Sequence, residues 1–338
     1  VVPSTAVSGA LPTGVHSWRV RARDNAGNVS GWSGSRSFTI DTTAPAVPTL
    51  LTPSDGAFSN TPTPTLDWSD SSDASGIQGY EVQVDADAGF SAPLEWSGAP
   101  VPSTVVSGAL AEGAHFWRVR ALDRAGNSSA WTAARTFTTD LTVPPSPALL
   151  TPPDGGLLNT STPTLDWTDS ADLNGIQNYL VHVDADAAFT APYEWSRTPA
   201  ASTIVAGPLA PGTHYWRVAA RDRAGNVSAW SAVRSFAVDR TPPTIPTLVS
   251  PANGALLGTS APTLDWTDST DTNGIKVYDV QVDADPAFAT PQEWTGAVAP
   301  STAVTGVLTD GLHYWRARAL DPAGNASGWS ATRSFTVN

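Results

Sequence analysis

Aspartates recur along the sequence at fixed positions in two kinds of segment, loops and links. Their carboxylates are the groups best suited to bind a metal ion. Calcium takes about six to eight oxygen ligands, which a loop rich in aspartate and backbone carbonyls could supply. The spacing differs from that of an EF-hand, however, and aspartate also caps turns through its own backbone. Calcium binding and turn capping therefore both stay open. The loop candidates are Asp67, Asp70, Asp73, Asp166, Asp169, Asp172, Asp265, Asp268 and Asp271, and the candidates in the links between repeats are Asp41, Asp140 and Asp239, beside Asp24, Asp123 and Asp222.

Four of the five histidines occupy one repeated position, although histidine is the usual acid–base or metal-binding residue. An active site is normally a single asymmetric arrangement of side chains, whereas this position recurs along the whole chain. We therefore predict a structural role for these imidazoles and no catalytic residue. Each histidine precedes by two residues a tryptophan that we assign to the core, so the structural set is His16, His115, His214, His313, Trp18, Trp117, Trp216 and Trp315.

Two other sets of tryptophans could bind a ligand. Trp32 and its repeats follow outward arginines such as Arg19 and Arg21, and a guanidinium stacked on an indole contributes about 0.5–2 kcal/mol. We predict structural stacking there, with a sugar-binding platform as the alternative. The other set lies on a predicted edge strand, where exposed aromatic residues often mark contacts between modules or chains. Packing within the module and carbohydrate binding are the alternatives for this set, Trp96, Trp195 and Trp294.

These candidates are positioned by a long repeat. The stretch at residues 214–231 returns three more times, and its first tryptophan recurs every 99 residues. Residues 1–41 match only the C-terminal half of the repeat unit, and three full units follow at 42–140, 141–239 and 240–338. Each full unit begins with a proline-rich link. Because proline restricts φ, these links are predicted to be short and stiff.

The pattern inside each unit is that of β-strands. In the repeated stretch, Trp216, Val218 and Ala220 alternate with polar or small residues, which is typical of a strand with one buried face. Glycine, asparagine and aspartate then mark a tight turn before the next strand. No segment has a sustained helical period. The sequence therefore predicts an all-β fold of tandem Greek-key β-sandwiches with seven strands in each unit.

Several residues in each unit carry a family resemblance. They are the tryptophan of Leu165-Asp166-Trp167, the tyrosine and valine at Tyr179 and Val181, and the segment 209–213 before the sixth strand. Each full unit thereby resembles a fibronectin type III domain, of the kind found in tandem on bacterial secreted and surface proteins. That family usually has a tyrosine at the corner before the sixth strand, where this chain has His214. The resemblance implies that the imidazole takes the corner role and hydrogen-bonds to nearby backbone.

Composition narrows the class of protein further. A net charge of -13 argues against nucleic acid as a partner, and the absence of cysteine excludes disulfides and thiolate metal sites. Charged residues make up 14% of the chain, well below the average of about 25%. No apolar run is long enough to span a membrane, and no signal peptide is visible. We expect an extracellular or cell-surface location, and the lack of an initial methionine suggests a longer or processed polypeptide.

Residues 1–41 supply only the last strands of a sandwich, which would leave Trp18, Val20 and Phe38 without a facing sheet. We expect either upstream sequence or strands from another chain to cover them. Both favour an extended assembly, so the first hypothesis is a non-enzymatic structural or adhesive protein that forms a rod or filament. The alternatives are a spacer region of a secreted polysaccharide-degrading enzyme and a carbohydrate-binding surface module. The fold itself does not choose between them.

Overall fold

The computed structural model describes residues 4–99, 101–197 and 200–338, and the side chains of residues 195–197 lie outside that description. The described residues form β-strands, turns and irregular connections, and none of them is helical. This confirms the all-β prediction. The chain divides into two compact units, Val1–Val143 with Asp222–Asn226, and Pro144–Arg221 with Val227–Asn338.

The first compact unit contains a β-hairpin and one complete β-sandwich, which we call the first module. The hairpin strands pair antiparallel, with Trp18 opposite Arg36. The hairpin consists of β1 (Gly14–Trp18) and β2 (Arg36–Ile40), and the first module consists of β3 (Leu50–Thr52), β4 (Ala57–Ser59), β5 (Thr65–Trp68), β6 (Ile77–Asp85), β7 (Leu94–Ala99), β8 (Ser103–Val105), β9 (Gly113–Asp123) and β10 (Arg135–Thr139).

The second compact unit holds most of two further β-sandwiches, the second and third modules, which repeat the same strand order. The strands of the second module are β11 (Leu149–Thr151), β12 (Gly156–Leu158), β13 (Thr164–Trp167), β14 (Ile176–Asp184), β15 (Tyr193–Arg197), β16 (Ser202–Ile204), β17 (Gly212–Asp222) and β18 (Arg234–Val238). Those of the third module are β19 (Leu248–Ser250), β20 (Ala255–Leu257), β21 (Thr263–Trp266), β22 (Val277–Asp283), β23 (Gln292–Ala297), β24 (Ser301–Ala303), β25 (Gly311–Leu320) and β26 (Arg333–Val337).

Every complete module is built from a three-stranded and a five-stranded sheet. In the first module the strand orders are β3-β5-β8 and β4-β10-β9-β6-β7, and the other two modules repeat both orders. Neighbouring strands run antiparallel, except that β4 is parallel to β10. The chain is therefore a tandem array of fibronectin type III-like β-sandwiches, as the sequence predicts. The edge position predicted for the strand that contains Trp96 is also observed, because β7 ends the larger sheet.

The structure differs from the seven-strand prediction at the start of each module. The first strand is split in two, with β3 in the smaller sheet and β4 in the larger one. Asp55 fixes this crossing, because its Oδ1 accepts hydrogen bonds from the backbone N–H and the hydroxyl of Thr136, at 2.8 and 2.9 Å. Gly56 follows with a φ of +72°, a conformation that suits glycine. The split lets a single strand border both sheets.

The core of each module lies between its two sheets. In the first module, Leu66 and Trp68 from the smaller sheet meet Val82, Trp117 and other residues of the larger sheet, and all four are at most 1% exposed. Burial of such a side chain contributes about 1.5–3 kcal/mol. The Trp68 ring also meets Tyr80 edge-on, with ring centroids 5.4 Å apart. These contacts position the loops at the ends of the strands, where the candidate residues lie.

Candidate functional site

The repeated histidines are the third residues of β1, β9, β17 and β25, next to the corner that leads into each strand. Nε2 of His115 lies 2.9 Å from the backbone oxygen of Ala111, and the imidazole packs against Phe137 with ring centroids 5.4 Å apart. His115, His214 and His313 are buried, at 5–7% exposure. The equivalent distances are 2.7 Å for His16, 2.8 Å for His214 and 2.7 Å for His313. This geometry ties each ring to the backbone of its own corner, and the structural role of these histidines stays a prediction.

A capped turn follows β9 at Asp123. Its Oδ1 accepts hydrogen bonds from the backbone N–H groups of Ala125 and Asn127, each at 2.8 Å. Its Oδ2 accepts another from Nδ2 of Asn127, at 2.8 Å. Burial raises the pKa of the Asp123 carboxyl, but hydrogen bonds from Asn127, Gly126 and Ala125 outweigh it and hold that pKa below its ordinary value of 3.8. The carboxylate is therefore charged at neutral pH, although it is 0% exposed.

This charged carboxylate belongs to a cluster of three. Asp41 from the link and Asp73 from the loop after β5 each place a carboxylate oxygen within 4.8 Å of the other and of one from Asp123. Oδ2 of Asp41 is buried and has no hydrogen-bond partner. The backbone N–H of Thr43 is the main cause of a lowered pKa at Asp41. In the second compact unit, Asp239, Asp271 and Asp321 form the same arrangement.

Three carboxylates this close repel one another unless a cation lies among them. Their oxygens fit the preference of calcium, although backbone carbonyls or water would have to complete its coordination. Asp41, Asp73 and Asp123, and likewise Asp239, Asp271 and Asp321, are thus the residues that could hold the ion. The first of these clusters therefore contains a predicted link aspartate, Asp41, a predicted loop aspartate, Asp73, and the aspartate of the capped turn, Asp123.

Six of the other acidic candidates lie outside such clusters. Asp67, Asp166 and Asp265 are half-buried within strands, and Asp70, Asp169 and Asp268 are exposed in the loops. None of these six belongs to a group of three acidic ligands within the described ranges. Asp172 accepts a hydrogen bond from the backbone N–H of Asn174 at 2.8 Å, and buried Asp140 accepts one from that of Thr142 at 3.1 Å. Calcium binding at all of these positions stays a prediction.

The asparagine of each turn has a role that the sequence did not indicate. Nδ2 of Asn127 donates to the backbone oxygen of Asp41, in the link, at 3.1 Å. Equivalent bonds of 2.9 Å join Asn226 to Asp140 and Asn325 to Asp239. The turn asparagine therefore holds the link that precedes its own module. The repeated sequence Asp-x-x-Gly-Asn, together with an aspartate in every link, was the available signal.

An aromatic and arginine ladder covers the outer face of the larger sheet. The guanidinium carbons of Arg118 and Arg120 lie 4.8 and 4.6 Å from the ring centroid of Trp131. Arg118 also stacks on Phe90 at 4.0 Å, and its Nε donates to Oε1 of Gln83 at 2.8 Å. The same stacking occurs on Trp32, Trp230 and Trp329. The predicted structural stacking of arginine on this tryptophan is thus present in the structure.

Phe90 is the ladder residue that sequence reasoning missed. It has a φ of 52°, and its equivalents Phe189 and Phe288 have 55° and 54°, in the region that favours glycine. The loop holds this conformation through Asp85, whose carboxylate accepts the backbone N–H groups of Asp87 and Ala92 at 3.1 and 3.0 Å. Asp85, the last residue of β6, therefore caps a turn that directs an aromatic ring under an arginine.

The edge tryptophans pack partly within their own modules. Nε1 of Trp96 donates to Oγ of Ser107 at 2.6 Å, and Nε1 of Trp294 donates to Oγ1 of Thr305 at 2.8 Å. Both rings are half-buried and lie against the core of their module. The side chain of Trp195 lies outside the described part of the chain. A role in contacts with other modules or chains stays a prediction for all three.

The hairpin carries an apolar groove of about 840 Å³, lined by Ser4, Thr5, Val7, Trp18, Val20 and Phe38. None of these described lining residues is titratable. Among the described residues, no helix has the length and apolar character needed to cross a membrane.

Comparison with known proteins gives sequence relatives among polysaccharide-degrading enzymes. No protein-family model matches the chain. Exoglucanase B of Cellulomonas fimi is 33% identical over 312 residues, which cover 88% of this chain and 26% of that enzyme. Endoglucanase B of Cellulomonas fimi is 31% identical over 289 residues, and chitinase A1 of Niallia circulans is 33% identical over 198 residues. The chain spans about a quarter of the length of these curated relatives, 26% in each case.

Solved structures with similar folds include the FN1–FN3 domains of chicken CNTN1, at 16% identity and a TM-score of 0.46, covering 88% of this chain and all of that one. The fibronectin(III)-like modules of Clostridium thermocellum CbhA also match, at 16% identity and a TM-score of 0.40, over 57% of this chain and 94% of that one.

Proposed function

We propose that the chain is a non-catalytic spacer region of a secreted enzyme that degrades polysaccharide, in which each repeat at 42–140, 141–239 and 240–338 is one spacer module. The observation that carries the proposal is the match to exoglucanase B, which runs through 88% of this chain and only 26% of that enzyme. Similar matches to an endoglucanase and a chitinase support a role that is independent of any one substrate.

The links suit a spacer, because a spacer must hold its ends apart. The carbonyl of each link aspartate accepts a hydrogen bond from the turn asparagine of the next module, as with Asn127 and Asp41. Proline in the links reduces the backbone freedom that a flexible linker would have. Within each compact unit, the link is therefore constrained by covalent and hydrogen-bonded geometry together.

The histidines and arginines support a non-catalytic role. Each repeated imidazole is bonded to backbone, and the arginines are stacked on aromatic rings and paired with side chains such as Gln83. These contacts recur in each module, as expected for stabilising features. An extracellular location is part of the proposal and agrees with a chain that has no cysteine and 14% charged residues.

The comparisons favour the spacer interpretation over the adhesive or filament-forming protein that the sequence suggested first. A filament requires contacts between chains, and two of the tryptophans considered for such contacts, Trp96 and Trp294, pack in part within their modules. Self-association therefore stays a prediction that imaging of the purified chain would test.

The proposal is tested with two fusion proteins. In one, a glycanase catalytic domain is joined to this chain; in the control, the same domain is joined to a Gly/Ser linker of the same length, 338 residues. We expect equal rates on soluble polysaccharide and a higher rate with the module array on insoluble polysaccharide, because a flexible linker holds its ends closer together. The isolated chain should hydrolyse neither substrate. Equal rates on insoluble substrate, or hydrolysis by the chain alone, would contradict the proposal.

A further inference from the structure

The second module differs from the other two at three neighbouring positions of the ladder face. His182 stands where the first and third modules have Gln83 and Gln281. Two more exchanges accompany it, since Ala219 replaces an arginine and Leu180 replaces an acidic residue. In the first module those positions form the ion pair between Arg120 and Glu81, and in the third module the pair of Arg318 and Asp279, at 2.9 Å. The second module therefore lacks one of the two stacked arginines and the acidic residue that pairs with it.

In the second module the imidazole of His182 packs against the ladder tryptophan in place of the missing arginine. Its ring centroid lies 4.1 Å from that of Trp230 and 6.2 Å from that of Phe189. The remaining arginine, Arg217, lies between the same two aromatic rings, with its guanidinium carbon 4.5 Å from Trp230 and 4.2 Å from Phe189. The histidine side chain is 12% exposed, so solvent reaches little of it.

The partners of the ring select the tautomer of neutral His182. Nδ1 lies 3.3 Å from an Nη of Arg217, and Nε2 lies 2.7 Å from Oε1 of Glu194. A guanidinium only donates and a carboxylate only accepts, so neutral His182 must accept at Nδ1 and donate from Nε2. Arg217 depends on this acceptor, because its Nε is buried without a hydrogen-bond partner. In the first module the equivalent Nε donates to Gln83 at 2.8 Å.

We propose that the ladder of the second module is an acid-sensitive switch, in which protonation of His182 at Nδ1 releases Arg217 from between Trp230 and Phe189. Protonation replaces the acceptor of Arg217 with a donor and places two cations against each other. Among the side chains that the structure describes, the charged groups that face the ring are Arg217 from β17, Glu194 from β15 and Asp184 from its own strand. The first and third modules cannot respond in this way, because glutamine does not titrate.

The sign of the pH effect follows from these surroundings. Burial is the main cause that lowers the pKa of His182 below 6.5, the Arg217 charge lowers it further, and Glu194 and Asp184 oppose both. A proton then binds more tightly to the unfolded chain than to the folded one. The ladder is fully stable above the ordinary histidine value of about 6.5 and loses stability as the pH falls below it. The inference concerns regulation of one module and does not depend on the spacer role.

Hydrogen exchange in the full chain, read by mass spectrometry, tests this inference with internal controls. At pH 5, peptides from β14, β15 and β17 should exchange about threefold faster than the same peptides of the variant His182→Gln, as expected for loss of one hydrogen bond. At pH 8 the two proteins should agree. The equivalent peptides of the first and third modules should show no difference at either pH. Equal exchange of wild type and variant at pH 5 would overturn the proposal.

Nuclear magnetic resonance keeps the proposal falsifiable if the variant folds poorly. The His182 signal, assigned from through-bond and through-space correlations in the wild-type chain, should titrate below 6.5, and Glu194→Gln should move the midpoint lower because an opposing negative charge is removed. A midpoint at or above 6.5 in the wild-type chain would also overturn it.

Discussion

The hairpin β1–β2 and the pair β9–β10 of the first module have nearly the same sequence but very different burial. Trp18 is 49% exposed, whereas Trp117, at the equivalent position, is 0% exposed. Phe38 and Phe137 differ in the same way, at 40% and 0%. The first module has a facing sheet that supplies Leu66 and other apolar residues, and the hairpin has none among the described residues.

The local features of the two regions are nevertheless the same. In the hairpin, Asp24 caps the turn through Ala26 and Asn28, at 3.0 and 2.8 Å. Arg21 stacks on Trp32 at 4.6 Å, the distance that separates Arg120 from Trp131. Local sequence is therefore sufficient for the turn, the corner and the ladder, while the facing sheet provides burial. Most of the free energy of folding should come from the second source.

The largest expected effect is that of Trp117→Ala. Loss of a fully buried tryptophan should lower the free energy of unfolding of the first module by about 3–5 kcal/mol. Trp18→Ala, the matched control in the hairpin, should change stability by less than about 1 kcal/mol because its ring is half exposed. Hydrogen exchange of β9 and β10 measures the effect, with the second and third modules as references. A similar loss in both variants would contradict the comparison.

The sequence predicted what depends on neighbouring residues. The alternation around Trp216 indicates a strand, and the spacing from Trp216 to His214 places the imidazole on the same face. The pairing of β4 with β10 was not predictable, because it joins residues about 80 positions apart and has no local pattern. Phe90 was missed because a bulky residue rarely adopts positive φ, so nothing in its type signals a turn.

The acidic sites were predicted only in part. The aspartates of the links and loops are evident from their recurrence, and the link set Asp41, Asp140 and Asp239 was predicted to lie beside the turn set Asp24, Asp123 and Asp222. The sequence did not show which members of the two sets meet. Which loop aspartate joins them depends on how the loop after β5 folds over the end of β9. Asp73 reaches the cluster while Asp70 points away to solvent, a choice made by three-dimensional packing.

Calcium binding should give the next largest difference in stability between the first module and the hairpin. Asp24 has the same turn as Asp123 but belongs to no group of three acidic ligands in the described residues. An ion that binds only the folded cluster should stabilise the first module by about 2.7 kcal/mol at a hundredfold excess over its dissociation constant. Asp73→Asn should remove most of this gain, and Asp70→Asn, in the same loop, should keep it. Melting temperatures with calcium and with chelator provide the measurement, and identical values would exclude the site.

Substitutions in the arginine ladder should give a smaller difference in stability between the first module and the hairpin. Arg120→Ala removes a cation–π contact and an ion pair with Glu81, whereas Arg21→Ala removes only a contact with Trp32. We expect a loss of about 0.5–2 kcal/mol for Arg120→Ala and a smaller one for Arg21→Ala. Denaturant unfolding followed by hydrogen exchange measures both. A larger loss in the hairpin variant would be inconsistent with this account.

Substitution of the turn asparagine should give the smallest difference in stability. Asn127→Ala breaks side-chain bonds to Asp123 and to the carbonyl of Asp41, whereas Asn28→Ala breaks only the bond to Asp24. The additional bond should make Asn127→Ala more costly by about 0.5–1.5 kcal/mol. Exchange of the amides around residues 41–46 should also rise in Asn127→Ala alone. Unchanged exchange in this link would show that the bond does not hold it.

The central claim is that local sequence builds every hairpin and that the facing sheet stabilises it. Amide hydrogen exchange of the unmodified chain tests this claim most directly, because β1–β2 and β9–β10 can be compared in one experiment. We expect the hairpin amides to exchange at least about a hundredfold faster than those of β9–β10, since local opening is cheaper where little apolar surface is buried. Equal protection of the two regions would contradict the claim.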